Sequence, residues 1–203
     1  SFKDKKKYVD ELYAKKKKKN FVEESYQANY NIPKEHFHYD VRFLDGYQYR
    51  NEIDLFVGGS PCQSFSMVGK RGGFEDTRGT LFFKVVEIIE NQKHRGHQPS
   101  VVVLENVRNL MSHDKGRTFK VIKETLEELN YHVFAAQLNS ADYGVPQTRN
   151  RVFLVCLLDD VEFLFPKGNG PECELQDILE SDVDDKYFLS DKILKTILSN
   201  GTG

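Results

Sequence analysis

A short apolar run that ends in glycines and a proline limits what this chain can fold into. Residues 53–57 read Ile-Asp-Leu-Phe-Val, and Gly-Gly-Ser-Pro-Cys-Gln follows at once. So short a run is typical of a buried strand in a parallel sheet. Pro61 is unfavourable inside a strand, so the chain must turn there. We therefore expect Cys62 to be presented beyond the carboxyl end of this strand.

Strands and helices alternate along the rest of the chain. Residues 101–104, 132–138 and 151–157 have the pattern of strands, and helical spacing of apolar residues predicts helices over 80–92 and 117–130. Further helical segments are expected within residues 1–30 and 189–198. This order predicts an α/β fold around a sheet that is parallel at its start. Ligands bind beyond the carboxyl ends of the strands in such sheets, where Cys62 and Glu105 both fall.

Charge and composition exclude several classes of protein. The 203 residues carry a formal charge of −2, which argues against a purely charge-driven nucleic-acid binder but permits an enzyme with a local basic cleft. No apolar run approaches the length of a membrane span. The spacing of Cys62, Cys156 and Cys173 fits neither a disulfide framework nor a zinc site. Free thiols favour a reducing, cytosolic setting.

Cys62 is interpreted as a nucleophile. A free cysteine is more often a small buried hydrophobe, but the polar residues Gln63, Ser64 and Ser66 follow it where a core segment would be apolar. Attack requires a thiol pKa below about 8.5, which a helix N-terminus or a nearby arginine can produce. The glycine-rich stretch 69–80 lacks the spacing of a dinucleotide fingerprint and is typical of a segment that moves.

Glu105 and two arginines complete the candidate site. A partly desolvated glutamate at a strand end can hold a proton at neutral pH, although a capping or salt-bridged carboxylate is equally compatible with this position. Arg149 and Arg151 alternate at the start of a strand and are expected on one face, where they grip carbonyl or phosphate oxygens or form an ordinary salt bridge. Together these groups suit conjugate addition to a pyrimidine. The thiolate adds at C6, Glu105 contacts N3, an arginine holds O2, and C5 becomes nucleophilic.

At these residues the chain resembles the C5-cytosine DNA methyltransferases of the bacterial restriction–modification type. Three segments carry the resemblance: Pro-Cys-Gln at 61–63, Glu-Asn-Val at 105–107 and Gln-Thr-Arg-Asn-Arg at 147–151. Their order and separations match the family, and the similarity extends over about residues 20–195. The resemblance implies a Rossmann-like S-adenosylmethionine-dependent methyltransferase fold. Its sheet is mostly parallel, with helices on both faces and an antiparallel strand near the C-terminal end.

The resemblance also assigns roles to single residues. It implies transfer of a methyl group to C5 of a cytosine flipped out of double-stranded DNA, through a covalent bond from Cys62 to C6. Glu105 would contact N3 and the exocyclic amine, and Arg151 the O2 side. Arg149 would support the nucleophile or a backbone phosphate. The residues expected to bind DNA lie in a lid over residues 63–80: Gln63, Ser64 and Ser66.

The cofactor implied by the resemblance is S-adenosyl-L-methionine. Asp40 and Val41 look like the acidic-apolar pair beside the adenine, with Asp45-Gly46 nearby as a competing candidate. Pro61 and Leu81 correspond to positions that line the adenosine and methionine ends, although Leu81 also lies on a core stripe of its helix. The family's glycine-rich cofactor loop is not found in this sequence.

The sequence predicts a catalytic domain over residues 1–195 and the start of a linker to a target-recognition domain over 196–203. A complementing chain could carry that domain, and the expected location is a bacterial cytoplasm. Two alternatives stay open. One is a catalytically incomplete subunit or regulatory DNA-binding module of the same fold, and the other is a methyltransferase that acts on cytosine in tRNA.

Overall fold

A computed structural model of the chain describes residues 2–15, 20–44, 49, 53–60 and 80–200. The segment that carries Pro61, Cys62, Gln63, Ser64 and Ser66 lies outside the described residues. So does the expected lid, apart from Thr80. The helices are α1 (Phe2–Lys15), α2 (Phe21–Asn29), α3 (Thr80–His94), α4 (Arg117–Glu128) and α5 (Asp191–Asn200), and the strands are β1 (Leu55–Gly59), β2 (Val101–Val107), β3 (His132–Asn139) and β4 (Asn150–Leu157). Short 3-10 turns connect several of them, among them Val41–Phe43 and Ser140–Asp142.

The four described strands form one sheet in the order β1-β2-β4-β3. Strand β1 runs parallel to β2, with Leu55 opposite Val101 and Gly59 opposite Glu105. Strand β4 runs antiparallel to β2, so the described sheet is mixed. The α/β class predicted from the sequence is confirmed, and β4 is the antiparallel strand expected toward the C-terminal end.

One face of the sheet carries the hydrophobic core. Buried and part-exposed residues alternate along β2, with Val102 and Leu104 on the buried face. Their partners across β4, Cys156 and Leu154, are buried on the same face. The helical residues of this cluster come from α3 and α4 at the predicted spacing: Phe82, Val86, Ile89, Ile122 and Leu126. The opposite face of β2, which carries Glu105, is less completely covered.

Of the strand boundaries that differ from the prediction, two change the placement of Glu105 and Arg149. Strand β2 continues to Val107, so Glu105 lies inside the strand and not just past its end. Strand β4 begins at Asn150, so Arg149 precedes it. The antiparallel ladder explains the extension of β2, because it runs as far as the pair Val107 and Arg151. Pairing with a second strand satisfies the backbone around two polar residues, and a single sequence segment does not reveal it.

The chain divides into two compact units, Ser1–Leu138 with Asn150–Pro166 and Asn139–Arg149 with Lys167–Gly203. The first contains the core and all of the sheet except Asn139, the last residue of β3. Within the second, Tyr143 forms a β-bridge with Gly170, and the side-chain oxygen of Asn139 accepts from the backbone N–H of Arg149 at 2.9 Å. Among the described helices, none has both the length and the apolar composition that crossing a bilayer requires.

Candidate active site

Glu105 lies near the carboxyl end of β2, beside the end of β1. The parallel register puts it opposite Gly59, which precedes Ser60 and the Pro61–Cys62 segment. On its other side the register partner is Phe153 of β4. The last described residue before Pro61 is Ser60. Glu105 therefore lies beside the carboxyl end of β1, although inside its own strand, and the position of Cys62 stays a prediction.

Arg151 forms an ion pair with Glu105. The guanidinium Nε is 2.8 Å from Oε1 of the carboxylate, with the two side chains 21% and 37% exposed. Val107 is directly opposite Arg151, so Glu105 is its diagonal neighbour on the same face of the sheet, within reach of a long side chain. The Nη1 group of Arg151 also donates to the backbone carbonyl of Asn150 at 2.8 Å. Of the alternatives that the sequence left open for both residues, the structure contains the salt bridge.

Gly59 leaves room for the carboxylate of Glu105. A Cβ atom built on Gly59 would lie 3.2 Å from Oε2 of Glu105 and 3.6 Å from its backbone oxygen. Since real Cβ contacts are seldom so close, the carboxylate occupies space that a side chain on β1 would claim. The two carboxylate oxygens thus have different surroundings: Oε1 faces Arg151, and Oε2 lies against the bare backbone of β1.

Asn106 is a polar residue of the site for which the sequence analysis assigned no role. It is only 4% exposed, on the core side of β2. Its Nδ2 donates to the backbone oxygen of Ser60 at 2.9 Å and contacts the Ser60 Oγ at 3.3 Å, while its Oδ1 accepts from the Val107 N–H at 2.9 Å. The sequence did contain a signal that Asn106 has a structural role. An amide in register with Val102 and Leu104 must find hydrogen-bond partners in the interior.

Arg149 does not share a strand with Arg151. It belongs to the second unit, where its backbone carbonyl accepts from the Ser140 N–H at 3.2 Å and its own N–H donates to Asn139. The prediction that the two arginines alternate along one strand is therefore wrong, because β4 begins only at Asn150. Any contribution of the Arg149 side chain to catalysis stays a prediction.

Asp40 and Val41 lie at a 3-10 turn that the Asp40 side chain caps. Asp40 accepts from the backbone N–H of Arg42 at 3.0 Å, and the Arg42 guanidinium binds both carboxylate oxygens, with its shortest contact at 2.6 Å. The hydrogen bonds from the Arg42 side chain, the largest cause, hold the pKa of Asp40 below its usual range. Helix α3, whose second residue is Leu81, contacts this same turn.

A cavity of about 210 Å³ opens beside Asp40. Carboxylates and aromatic rings dominate its walls, which are formed by Lys6, Asp10, Glu35, Phe37, His38, Tyr39, Asp40 and Phe43. Carboxylate oxygens can accept from ribose hydroxyls and amino groups, and aromatic faces can stack on a purine. The residues present therefore fit an adenosine moiety. The cavity volume is below the usual range for pockets that bind a whole ligand, so the cavity accommodates only part of S-adenosylmethionine.

Comparison with known proteins defines the class to which this fold and site belong. The C-5 cytosine-specific DNA methylase family profile matches residues 2–202. The type II methyltransferase M1.ScrFI of Lactococcus lactis subsp. cremoris is 42% identical over 178 residues, which cover 85% of this chain and 43% of that protein. The type II methyltransferase M.HaeII of Haemophilus aegyptius is 47% identical over 151 residues, covering 73% of this chain and 46% of that protein.

Solved structures agree at the level of the fold. The Entamoeba histolytica methyltransferase EhMeth superposes with a TM-score of 0.68 at 16% identity, covering 88% of this chain and 55% of that one. The S. pombe Dnmt2 methyltransferase superposes with a TM-score of 0.59 at 19% identity, covering 78% of this chain and 51% of that one. The chain belongs to the C-5 cytosine-specific DNA methylase family. It spans less than half the length of the two curated relatives.

Proposed function

We propose that this protein transfers a methyl group from S-adenosylmethionine to C5 of cytosine in double-stranded DNA. The observation that carries the proposal is the ion pair between Glu105 and Arg151. It lies beside Gly59, at the carboxyl end of β1, and Cys62 follows Gly59 by three residues in the sequence. Membership of the family and the names of the bacterial type II relatives support DNA as the substrate. Those relatives also support a role in a restriction–modification system and a bacterial cytoplasm as the location.

The reaction begins with addition of the Cys62 thiolate to C6 of a flipped-out cytosine. The new S–C6 bond would move electron density to C5, and C5 would take the methyl group as the bond between that methyl group and the sulfonium sulfur breaks, leaving a neutral thioether. A base then removes the C5 proton, the electron pair re-forms the C5–C6 double bond, and the S–C6 bond breaks to release Cys62 as a thiolate. Gln63, Ser64 and Ser66 would contact the DNA next to the nucleophile.

Glu105 and Arg151 would orient the base and stabilise the charge that develops on it. Glu105 contacts N3 and the exocyclic amine, and Arg151 the O2 oxygen. The ion pair holds both side chains before the base arrives, so that little reorganisation is needed during the reaction. Arg149 would support the nucleophile segment or a backbone phosphate.

The adenosine part of the cofactor would lie in the cavity beside Asp40, with Val41, Pro61 and Leu81 as further contacts. The Asp40 carboxylate already accepts four hydrogen bonds from Arg42, two at each oxygen, so accepting from the adenine amine would require it to give up one of them. The proposed catalytic domain comprises residues 1–195, and residues 196–203 would begin the linker to a recognition domain. A complementing chain that supplies this domain is part of the proposal.

A covalent trap tests the proposed function. Duplex DNA carrying 5-fluorocytosine is incubated with S-adenosylmethionine and the complete polypeptide that carries this chain, and the modified peptide is identified by mass spectrometry. The expected product is an adduct at Cys62, absent from the Cys62→Ser variant and slowed roughly 10²-fold in Glu105→Gln, the usual scale for losing a preorganised polar group that orients and stabilises the reacting base. An equal yield from tRNA containing 5-fluorocytosine would favour the tRNA enzyme, and no adduct with either substrate would contradict the proposed reaction.

A further inference from the structure

The last residue of β1 determines how much space the Glu105 carboxylate has. Gly59 is opposite Glu105 in the parallel register, and the 3.2 Å separation between its hypothetical Cβ and Oε2 is tighter than ordinary van der Waals contact. An alanine at residue 59 would require the carboxylate or the strand to shift by a few tenths of an ångström. The absence of a side chain at this position is therefore a requirement of the observed Glu105 conformation.

The neighbouring glycine shows that this requirement is local. Gly58 lies in the same strand, one residue earlier and on the opposite face of the sheet. Among the described residues, a Cβ built on Gly58 would meet only the Phe56 ring, at 3.6 Å, which is an ordinary contact. Neither glycine has a positive φ, so alanine is compatible with the backbone at both positions. The two residues differ in what their side chains would touch.

Arg151 limits how the carboxylate could escape such a contact. Its Nε lies 2.8 Å from Oε1, and its Nη1 is bound to the Asn150 carbonyl. Movement of Oε2 away from residue 59 would rotate or displace Oε1 and change this ion pair. Among the residues that the structure describes, Oε2 has no hydrogen-bond partner, whereas Oε1 is paired with Arg151.

We propose that Gly59 is a positioning residue for Glu105, keeping Oε2 accessible and the carboxylate aligned with Arg151. This inference rests on the proposed function, because it gives the alignment a catalytic purpose. A displacement of a few tenths of an ångström predicts a loss of turnover on the order of 10-fold, since misplacement by about 1 Å can cost roughly 10²-fold. Gly59→Ala should change kcat more than KM for DNA. KM depends on the whole surface that contacts DNA, of which this position is a small part.

The test compares Gly59→Ala with Gly58→Ala, alone and in a Glu105→Ala background, in the complete polypeptide. Methyl transfer to duplex DNA is measured together with the NMR signal of the Arg151 Nε–H group, assigned by its loss in Arg151→Lys. Gly59→Ala should lower kcat about 10-fold and shift the Arg151 signal, whereas Gly58→Ala should change neither. In the Glu105→Ala background, Gly59→Ala should have no further effect on kcat, because the atom it displaces is gone.

The outcomes distinguish the proposed catalytic role of Glu105 from the proposed positioning role of Gly59. If Glu105→Ala retains full turnover, the proposed role of Glu105 is wrong and the role of Gly59 falls with it. If Glu105→Ala is slow but Gly59→Ala matches Gly58→Ala in kcat, or lowers kcat equally in the Glu105→Ala background, only the Gly59 proposal is overturned. If Gly59→Ala fails to fold, recovery of folding in the double variant with Glu105→Ala supports the contact. Failure of that double variant to fold overturns it.

Discussion

The Arg151 guanidinium contacts the Glu105 carboxylate at 2.8 Å, reaching diagonally from β4 to β2. The two residues belong to motifs that are far apart in the chain, and the antiparallel pairing of their strands brings them together. Neither side chain is fully buried, so water partly screens the pair and its contribution to stability is modest. Its main consequence is to fix the orientation of both side chains.

Replacing Arg151 by lysine separates orientation from charge. Arg151→Lys keeps the positive charge but loses the planar group that contacts Oε1 and the Asn150 carbonyl. We expect turnover to fall at least 10-fold, while the free energy of unfolding falls by only about 0.5 kcal/mol. Enzyme kinetics and urea unfolding measure the two quantities. Arg117→Lys is the matched control, because Arg117 pairs with Asp114 at the surface. Equal turnover in the two variants would contradict the orienting role.

Asn106 is expected to stabilise the junction between β1 and the Pro61–Cys62 segment. Asn106→Ala removes the donor to Ser60 and leaves buried polar groups without partners, which should lower the free energy of unfolding by about 2 kcal/mol. Urea titration measures this loss. Asn29→Ala is the control, since the exposed Asn29 side chain donates to the Ser25 carbonyl, and this change should cost less than about 0.5 kcal/mol. Similar losses in the two variants would argue against a structural junction at Asn106.

The Asp40–Arg42 pair should make a small contribution to stability that depends on pH. The Arg42 side chain holds the folded-state pKa of Asp40 below its unfolded value of about 3.8. The contribution is therefore present above that unfolded value and is lost as pH falls through the folded pKa. Arg42→Gln should lower the free energy of unfolding by about 0.5 kcal/mol at pH 7 and by less at pH 3. Urea midpoints at the two pH values provide the measurement, and a gap that widens on acidification would count against the pair.

Cys156 should be chemically inert in the native protein. It is fully buried in the core, and burial raises the pKa of its thiol to about 12. Only on the order of 10⁻⁴ of the thiol is ionised at pH 8, and the thiolate is the reactive form. Iodoacetamide labelling followed by mass spectrometry should leave Cys156 unmodified until urea unfolds the chain. The partly exposed Cys173 is the internal control. Equal labelling rates at these two cysteines in the native state would refute the prediction.

Local pattern predicted the regular elements well, because periodicity reports which face of a segment is buried. The spacing of Phe82, Val86 and Ile89 identified a helix whose stripe joins the core, and the run before Gly58 identified β1. Helix α4 begins at Arg117 as predicted. The errors arose where pairing between distant segments overrides local composition. Glu105 and Asn106 look like the end of a strand, but β4 continues the ladder past them.

The sequence by itself determined the main elements and the α/β class and predicted a set of reactive side chains, since residue type and spacing are local properties that a motif preserves. Tertiary structure alone decided which of those side chains meet. It paired Glu105 with Arg151, separated Arg149 from the strand, bound Asn106 to Ser60 and placed Gly59 against a carboxylate oxygen. The physical reason is that strand register sets distances between residues far apart in the chain. Register results from packing and hydrogen bonding across the whole sheet.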